Sequence, residues 1–144
     1  MAIDPDSLTA AKQKVMDIIA AANGSEHEKN AFIGRLPPAI DTWAIFFGGG
    51  GDVRNTWNHE ITELRCDSDI VGYFSSQPGA DRFVMLTLDA LPIRNQGNVA
   101  WYRMRSGGMF KIDPECRPVG GDAGNQILWV VRIGTELVFD TTSS

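Results

Sequence analysis

The stretch Asn55–Pro92 decides the fold, and it reads NTWNHEITELRCDSDIVGYFSSQPGADRFVMLTLDALP. Its first part, Asn55–Cys66, is strand-like, and an apolar patch over Ile70–Phe74 follows it. Gln77-Pro78-Gly79 then opens a helix whose apolar residues recur every three or four positions. These residues are Ala80, Phe83, Val84, Leu88 and Leu91. A strand that feeds a helix lying back on the sheet predicts a two-layer α+β unit, to which the rest of the chain is added.

The alternation of side chains in Asn55–Cys66 changes phase once. Trp57, His59 and Ile61 fall on odd positions, and the apolar residues that follow them fall on even ones. A β-bulge near Thr62-Glu63 would restore one apolar face after one extra residue. The polar residues 67–69 then predict a break or an edge, so the apolar patch that follows either continues the strand or forms a short separate one.

Helical segments and one strand precede this stretch. The apolar spacing predicts a helix from near Leu8 that Gly24 ends in the left-handed conformation. A capping box at residues 25–28 predicts a second, short helix to about residue 33. Asp41–Gly48 has apolar residues on both faces, which predicts a central strand. The run Gly48–Gly51 then ends that strand as a mobile connection, since no Lys-Ser or Lys-Thr follows to make a phosphate loop.

The segment after Pro92 predicts further strands. Val99–Ile112 predicts a hairpin that turns at Ser106-Gly107-Gly108. Asp113–Gly124 holds prolines and glycines, which predict an irregular loop of about twelve residues. The last strand has the clearest pattern, because its apolar side chains share one parity. They are Ile127, Trp129, Val131, Ile133, Leu137 and Phe139.

Length and charge bound the class of protein. A chain of 144 residues is about one domain, so we expect a single domain over residues 1–144 with loose tails at 1–6 and 141–144. The net charge is −5, and the acidic excess lies in residues 1–72. The segment between Asp89 and Asp113 holds no acidic residue and is basic. Its basic residues are Arg94, Arg103, Arg105 and Lys111. We expect a solvated face or a contact surface for an acidic neighbour there.

The two cysteines, Cys66 and Cys116, lack the CxxC spacing of a metal or redox site. Because no signal peptide is seen at the N-terminus, we expect free thiols in a reducing compartment. No apolar run approaches the roughly 20 residues that a membrane-spanning helix needs.

Candidates for catalysis are few. His27 lies in the capping-box turn, and His59 lies in the predicted strand. Cys66 and His59 have opposite parities, which argues against a nucleophile and base pair. Asp67 and Asp69 offer too few oxygens for a hard cation. The HExxH, GxSxG and GxGxxG patterns are absent, so we predict no enzymatic activity, no catalytic or metal-binding residue and no cofactor.

The basic segment Val99–Ile112 alternates aromatic and basic residues, as proteins that hold single-stranded nucleic acid do. The alternative is that the aromatic residues pack in the core on one face and Arg103 and Arg105 lie on the other face. We favour this alternative, since nucleic-acid-binding domains usually carry a stronger overall excess of positive charge.

The order of the elements resembles that of a known family. An N-terminal helix precedes an aromatic strand, and Thr56-Trp57-Asn58-His59-Glu60-Ile61 begins a long strand. A helix ending in Leu88-Asp89-Ala90-Leu91, a hairpin, and the strand Asn125–Asp140 follow. In this order the chain resembles, over residues 8–140, the tail-terminator (tail-completion) proteins of long-tailed phages and phage-like particles.

The resemblance implies an α+β fold with a mixed, mainly antiparallel sheet and helices packed on one face. It implies a structural virion protein at the tail–neck junction, assembled in the host bacterial cytoplasm as a homohexameric ring. The ring would cap the head-proximal end of the tail tube, bind the tube protein, stop tube polymerisation and join the head-tail connector or neck protein. DNA would pass through the ring without specific binding, and no membrane would be involved.

Contacts of such a ring with itself, the tube or the neck are expected at exposed polar and glycine positions. The candidates are Gly49, Gly50, Asp52, Arg54, Glu60, Glu63, Arg65, Arg103, Arg105, Lys111 and Arg117. The alternative functions are another neck, head-closure or minor tail assembly subunit, or a small nucleic-acid-binding module.

Overall fold

The last strand of the chain forms the middle of a five-stranded sheet. The computed structural model describes residues 5–24, 42–96, 101–118 and 125–140. In chain order the elements are α1 (Ser7–Asn23), β1 (Thr42–Arg54), β2 (Ile61–Phe74), α2 (Gln77–Ala90), β3 (Ile93–Gln96), β4 (Trp101–Pro118) and β5 (Asn125–Asp140). The strand order is β1-β2-β5-β4-β3, so β5 pairs with β2 on one side and with β4 on the other.

Every strand pairing in the described sheet is antiparallel. Two helices pack against this sheet, which confirms the predicted α+β class. The prediction of a central first strand is wrong for the described sheet, because β1 lies at one edge. Its apolar residues on both faces are buried all the same, with Trp43 and Ala44 on opposite sides of the strand.

The register gives the sheet two different faces. Residues that pair directly across strands point to the same face, so the pairings assign each side chain to a face. The face toward the helices, called the helix face below, carries most of the buried apolar side chains. They are Trp43, Ile45, Ile70, Phe74, Ile93, Tyr102, Met104, Val131, Ile133, Leu137 and Phe139.

The opposite face is called the charged face. Its charged side chains are Glu63, Arg65, Asp67, Asp69, Arg94, Arg103, Arg105, Lys111, Asp113, Glu115, Arg132, Glu136 and Asp140. This face is not wholly polar, because Val71, Tyr73 and Val130 form a small buried cluster on it.

Both helices lie where the sequence predicts them, and Ala80, Phe83 and Val84 of the predicted stripe of α2 are buried. Gly24 ends α1 with a φ of 65°, the left-handed conformation that glycine adopts without strain. The hydroxyl of Ser76 accepts the Gly79 N–H (3.2 Å) and caps α2. The helices are joined by the Asn23 side-chain amide, which donates to the Thr87 hydroxyl (3.1 Å). Phe83 of α2 reaches the sheet, where its ring centre lies 5.0 Å from that of Phe74.

A buried polar pair interrupts the apolar helix face. Ser68 and Thr135 pair directly across β2 and β5, and their hydroxyls are hydrogen-bonded to each other. The Thr135 hydroxyl also lies 3.1 Å from the Ser68 carbonyl oxygen. Because each buried hydroxyl has a partner, the strand continues without the desolvation cost of an unmade hydrogen bond. The predicted break at residues 67–69 is therefore wrong, and β2 runs unbroken to Phe74.

The predicted start of this strand is also wrong, since residues 55–60 form the loop of the β1–β2 hairpin and β2 begins at Ile61. The predicted bulge is confirmed at its position. Val53 pairs with Glu63 and Arg54 pairs with Ile61, which leaves Thr62 as the extra residue. The hydroxyl of Thr62 donates to the Val53 carbonyl oxygen (3.0 Å), so the extra residue is held against β1.

The glycine run does not end the first strand, contrary to the prediction of a mobile connection. β1 continues through it to Arg54, with a second bulge between Phe47 and Gly50. A Cβ atom on Gly50 would overlap the carbonyl oxygen of Arg65 on the neighbouring strand. The glycine is therefore needed for the close approach of two strands at a bulge.

The predicted hairpin over residues 99–112 is one strand in its described part, from Trp101 onward. β4 runs from Trp101 to Pro118, and residues 107–109 bulge opposite Gly134. Gly108 has a φ of 85°, and its N–H donates to the Ser106 hydroxyl (3.1 Å). The glycines therefore serve a bulge and not a turn. The predicted irregular loop is wrong for residues 113–118, which belong to the strand.

Several predictions lie outside the described residues. They are the capping box and short helix at residues 25–33, the part of the loop at 119–124 and the tails at 1–4 and 141–144.

Two isoleucines on the same face of β5 allow a matched test of where the core lies. Ile133→Ala should lower the free energy of unfolding by about 2–5 kcal/mol, because Ile133 is fully buried and its loss leaves a cavity. Ile127→Ala, on the same strand and the same parity, should change it by less than about 0.5 kcal/mol, since Ile127 is 59% exposed. Urea denaturation followed by circular dichroism measures both. An equal loss of unfolding free energy in the two variants would contradict the placement of Ile133 in the core and of Ile127 at the surface.

Candidate functional site

The candidate contact residues fall in two places. The hairpin tip, defined as residues 48–60, is exposed throughout and carries Gly49, Gly50, Asp52, Arg54 and Glu60. The charged face carries Glu63, Arg65, Arg103, Arg105 and Lys111. Arg117 lies at a strand position near the end of β4, and its side chain lies outside the described part of the chain. The structure therefore offers two separate surfaces.

Hydrogen bonds fix the shape of the hairpin tip. The Asn55 N–H donates to the Glu60 carbonyl oxygen (2.8 Å), and the His59 N–H donates to the Asn55 carbonyl oxygen (2.9 Å). The side-chain oxygens of Asn55 and Asn58 accept the backbone N–H groups of Trp57 (2.8 Å) and Glu60 (3.1 Å). These are the local bonds by which asparagine stabilises turns. The loop is therefore ordered before any partner binds.

An ion pair at the end of β1 holds one side of the same loop. The Arg54 guanidinium pairs with Asp52 (2.6 Å) and also donates to the His59 carbonyl oxygen (2.9 Å). These two candidate residues thus position the loop as well as being exposed. The pair itself contributes little to global stability, since exposed ion pairs are worth about 0–1 kcal/mol.

Trp57 is the most exposed large apolar side chain of the described residues, at 92%. The alternation pattern had placed Trp57 in a half-buried strand, and this prediction is wrong because the strand begins four residues later. The signal that could have identified the loop is its two asparagines, which favour turns and disfavour strands. Tryptophan is enriched among residues that dominate binding energy at protein interfaces.

Acidic and basic residues are partly separated on the charged face, where β4 also carries Asp113 and Glu115. β2 contributes Glu63, Asp67 and Asp69, with Arg65 hydrogen-bonded to Glu63 (2.7 Å). That contact raises the pKa of the Arg65 guanidinium. The basic residues of β4, two strands away, are Arg103, Arg105 and Lys111, and Arg94 lies on β3, one strand further. Strand β5 lies between the two groups, and its Glu136 pairs with Arg105 (2.8 Å).

The proposed nucleophile and base do not come together. Cys66 is half-buried on the helix face, and burial raises the pKa of its thiol. His59 lies in the hairpin loop, and the five residue steps along β2 from Ile61 to Cys66 span about 16 Å. A buried thiol with a raised pKa is a poor nucleophile.

Asp67 and Asp69 share the charged face, and no group of three or more potential metal ligands occurs among the described residues. None of the described helices is both long and apolar enough to cross a bilayer.

The aromatic and basic residues of β4 point in opposite directions where both are described. Tyr102 is buried on the helix face, where burial raises the pKa of its hydroxyl. Arg103 and Arg105 lie on the charged face. Tyr102, Arg103 and Arg105 fit the preferred alternative, whereas the Phe110 side chain of the same segment is 51% exposed. A stacking surface for nucleic acid would need the rings beside the arginines.

No family model matches this chain, and no curated protein matches it either.

Backbone geometry gives a test of the ordered tip. His59 has a φ of 58°, which is a left-handed conformation. This conformation has its highest energy for residues with a β-branched side chain. His59→Val should destabilise the loop by about 1–2 kcal/mol. The Asn55 and His59 amides should then exchange with solvent roughly tenfold faster in hydrogen-exchange NMR. His59→Gly, the matched control, should not speed their exchange. Equal exchange in all three proteins would show that the tip is already open.

Proposed function

We propose that this chain is a non-enzymatic assembly subunit of a long phage tail or phage-like particle. In this role it forms a homohexameric ring at the head-proximal end of the tail tube. The ring stops tube polymerisation and joins the tube to the neck. The proposal is supported by the resemblance of the element order to tail terminators and by the surfaces described above, which suit contact with other proteins.

The separation of charge on one face carries the proposal. The mainly acidic side chains of β2 and the basic side chains Arg103, Arg105 and Lys111 of β4 lie on opposite sides of the central strand, each displaced from it by one strand spacing. Two different, complementary patches on one molecule favour head-to-tail contacts, and such contacts close into a ring when the rotation allows. A two-fold pairing of the same face would also bring acid against base, so the mass of the oligomer decides between a dimer and a closed ring.

The overall charge also suits the role. DNA must slide through the hole of a tail ring, and a lining that neutralised phosphates would hold it. The chain carries a net charge of −5, so its surface as a whole repels DNA. In the proposed arrangement the basic residues of β4 face acidic residues of a neighbouring subunit, and DNA passes without specific contacts.

Charge reversal tests this arrangement. Arg103→Glu combined with Arg105→Glu should raise the concentration needed for half-maximal assembly at least about tenfold, because like charges then face each other across the contact. The measurement is the molar mass by light scattering over a concentration series. Lys14→Glu combined with Arg82→Glu is the matched control, since both residues are exposed on the helices and the change of charge is the same.

A compensating change makes the test specific. Asp67→Lys combined with Asp69→Lys, added to the two arginine reversals, should restore assembly because the signs of both patches are exchanged. The monomer should stay folded in every variant, since the core on the helix face is unchanged and the Arg105–Glu136 ion pair that is lost is exposed. An oligomer mass unaffected by the arginine reversals would contradict the arrangement.

A further inference from the structure

A shallow depression lies at the bulge of β4. Its lining residues are Met109, Phe110, Lys111, Arg132 and Gly134, and its volume is about 190 Å³. Pockets for whole small-molecule ligands measure about 300–1,000 Å³, so this one has the size of a single large side chain. Gly134 leaves room at its floor, because a Cβ atom there would meet only the Met109 carbonyl oxygen, at 3.8 Å.

The depression is apolar and open to solvent at the edge of the sheet. Met109 is 68% exposed and Phe110 is 51% exposed, although both are large apolar side chains. β3 pairs only with Trp101–Met104, so the outer edge of β4 beyond Met104 is not paired with a strand in the described sheet. Met109 thus exposes a large apolar side chain beside an uncovered strand edge, and Phe110, which pairs with Ile133, points to the helix face at the same edge.

Two positively charged side chains, Lys111 and Arg132, border this depression and repel each other. Lys111 and Arg132 pair directly across β4 and β5, and like charges at such positions destabilise a sheet. Neither side chain forms an ion pair within the described residues. A carboxylate placed between them would remove the repulsion, so the expected occupant combines a large apolar group with a nearby acid.

The hairpin tip has this combination. Trp57 is almost fully exposed, and Glu60 follows three residues later in the same hydrogen-bonded loop. The Glu60 carboxylate forms no ion pair within the described residues, whereas the other acid of the tip, Asp52, is paired with Arg54. Trp57 and Glu60 can therefore enter a contact as a preformed unit.

A chain cannot place its own tip in its own depression. Gly134 pairs with Asp69, and β2 runs from Asp69 to Ile61, about 26 Å away along the strand, before the loop begins. The hydrogen-bonded register of β1, β2 and β5 prevents the tip from folding back. The occupant must come from another molecule.

We propose that Trp57 of one copy of this chain sits in the β4 depression of the next copy, with Glu60 between Lys111 and Arg132. This contact rests on the proposed self-assembly into a ring and names the residues that make it. The tip extends from the β1–β2 side of the sheet and the depression lies on the β4 side, so each copy offers one surface on each side. Such a contact is head-to-tail and repeats around a closed ring.

Cross-linking tests the contact directly. In a chain carrying Cys66→Ala and Cys116→Ser, the exposed positions Thr56→Cys and Met109→Cys place one thiol beside Trp57 and one in the depression. A short bismaleimide should join them between molecules and give a ladder of covalent oligomers on a denaturing gel. The two single-cysteine proteins, mixed in equal amounts, should give a dimer and no higher ladder.

Substitutions in the same background show which side chains matter. Trp57→Ala should raise the protein concentration needed for half-maximal cross-linking at least about tenfold, as loss of a dominant interface residue does. Glu60→Lys should weaken the contact in the same direction, and adding Lys111→Glu and Arg132→Glu should restore it. Met85→Ala is the control, because Met85 is 69% exposed on α2, away from both surfaces.

The length of the ladder also tests the proposed contact and the proposed hexameric ring separately. A ladder that ends at six supports both the contact and the proposed hexamer. A ladder that continues past six supports the contact and contradicts the ring. Six-fold rings that give no cross-link, or a chain that remains monomeric and uncross-linked at every concentration, overturn the contact between Trp57 and the depression.

Discussion

Strand β5 is hydrogen-bonded to β2 over Trp129–Asp140 and to β4 on its other side, and the remaining structure depends on this double pairing. Because side chains alternate along a strand, the register turns Val131, Ile133 and Leu137 toward the helices and Arg132 and Glu136 away from them. A slip of one residue would exchange the two sets. The buried Ser68–Thr135 hydroxyl pair is satisfied only in the observed register, so it adds specificity to the apolar pattern.

The same pairing makes the two candidate contact surfaces rigid. Bulges in β1, β2 and β4 absorb extra residues without changing which face is apolar, so the hairpin tip and the β4 depression are held by strands whose positions are fixed. Rigid surfaces lose little conformational entropy on binding, which favours assembly through small patches. In the proposed ring, the fold thus supplies stability on one face of the sheet and subunit contacts on the other.

Periodicity in the sequence predicted the parts of the fold that bury an apolar stripe. The two described helices and the alternating strand β5 were found because their apolar residues repeat with a fixed spacing. The glycine runs led to wrong predictions of a strand end and a hairpin turn, because glycines are typical of turns. In the structure Gly48–Gly51 and Gly107-Gly108 lie at bulges within long strands. The exposure of Trp57 could not be read from alternation, because the loop that presents it depends on pairing between distant residues of β1 and β2. Of the candidate contacts, the basic residues of β4 were found from charge, whereas the depression depends on tertiary structure.

The central claim is that copies of this chain form a closed ring that ends a tail tube. Electron microscopy of the purified protein, alone and mixed with tail tubes, tests this most directly. The account predicts six-fold rings bound at one end of each tube, and tubes that no longer lengthen when more tube protein is added. Tubes with bare ends that continue to grow in the presence of saturating protein would contradict it.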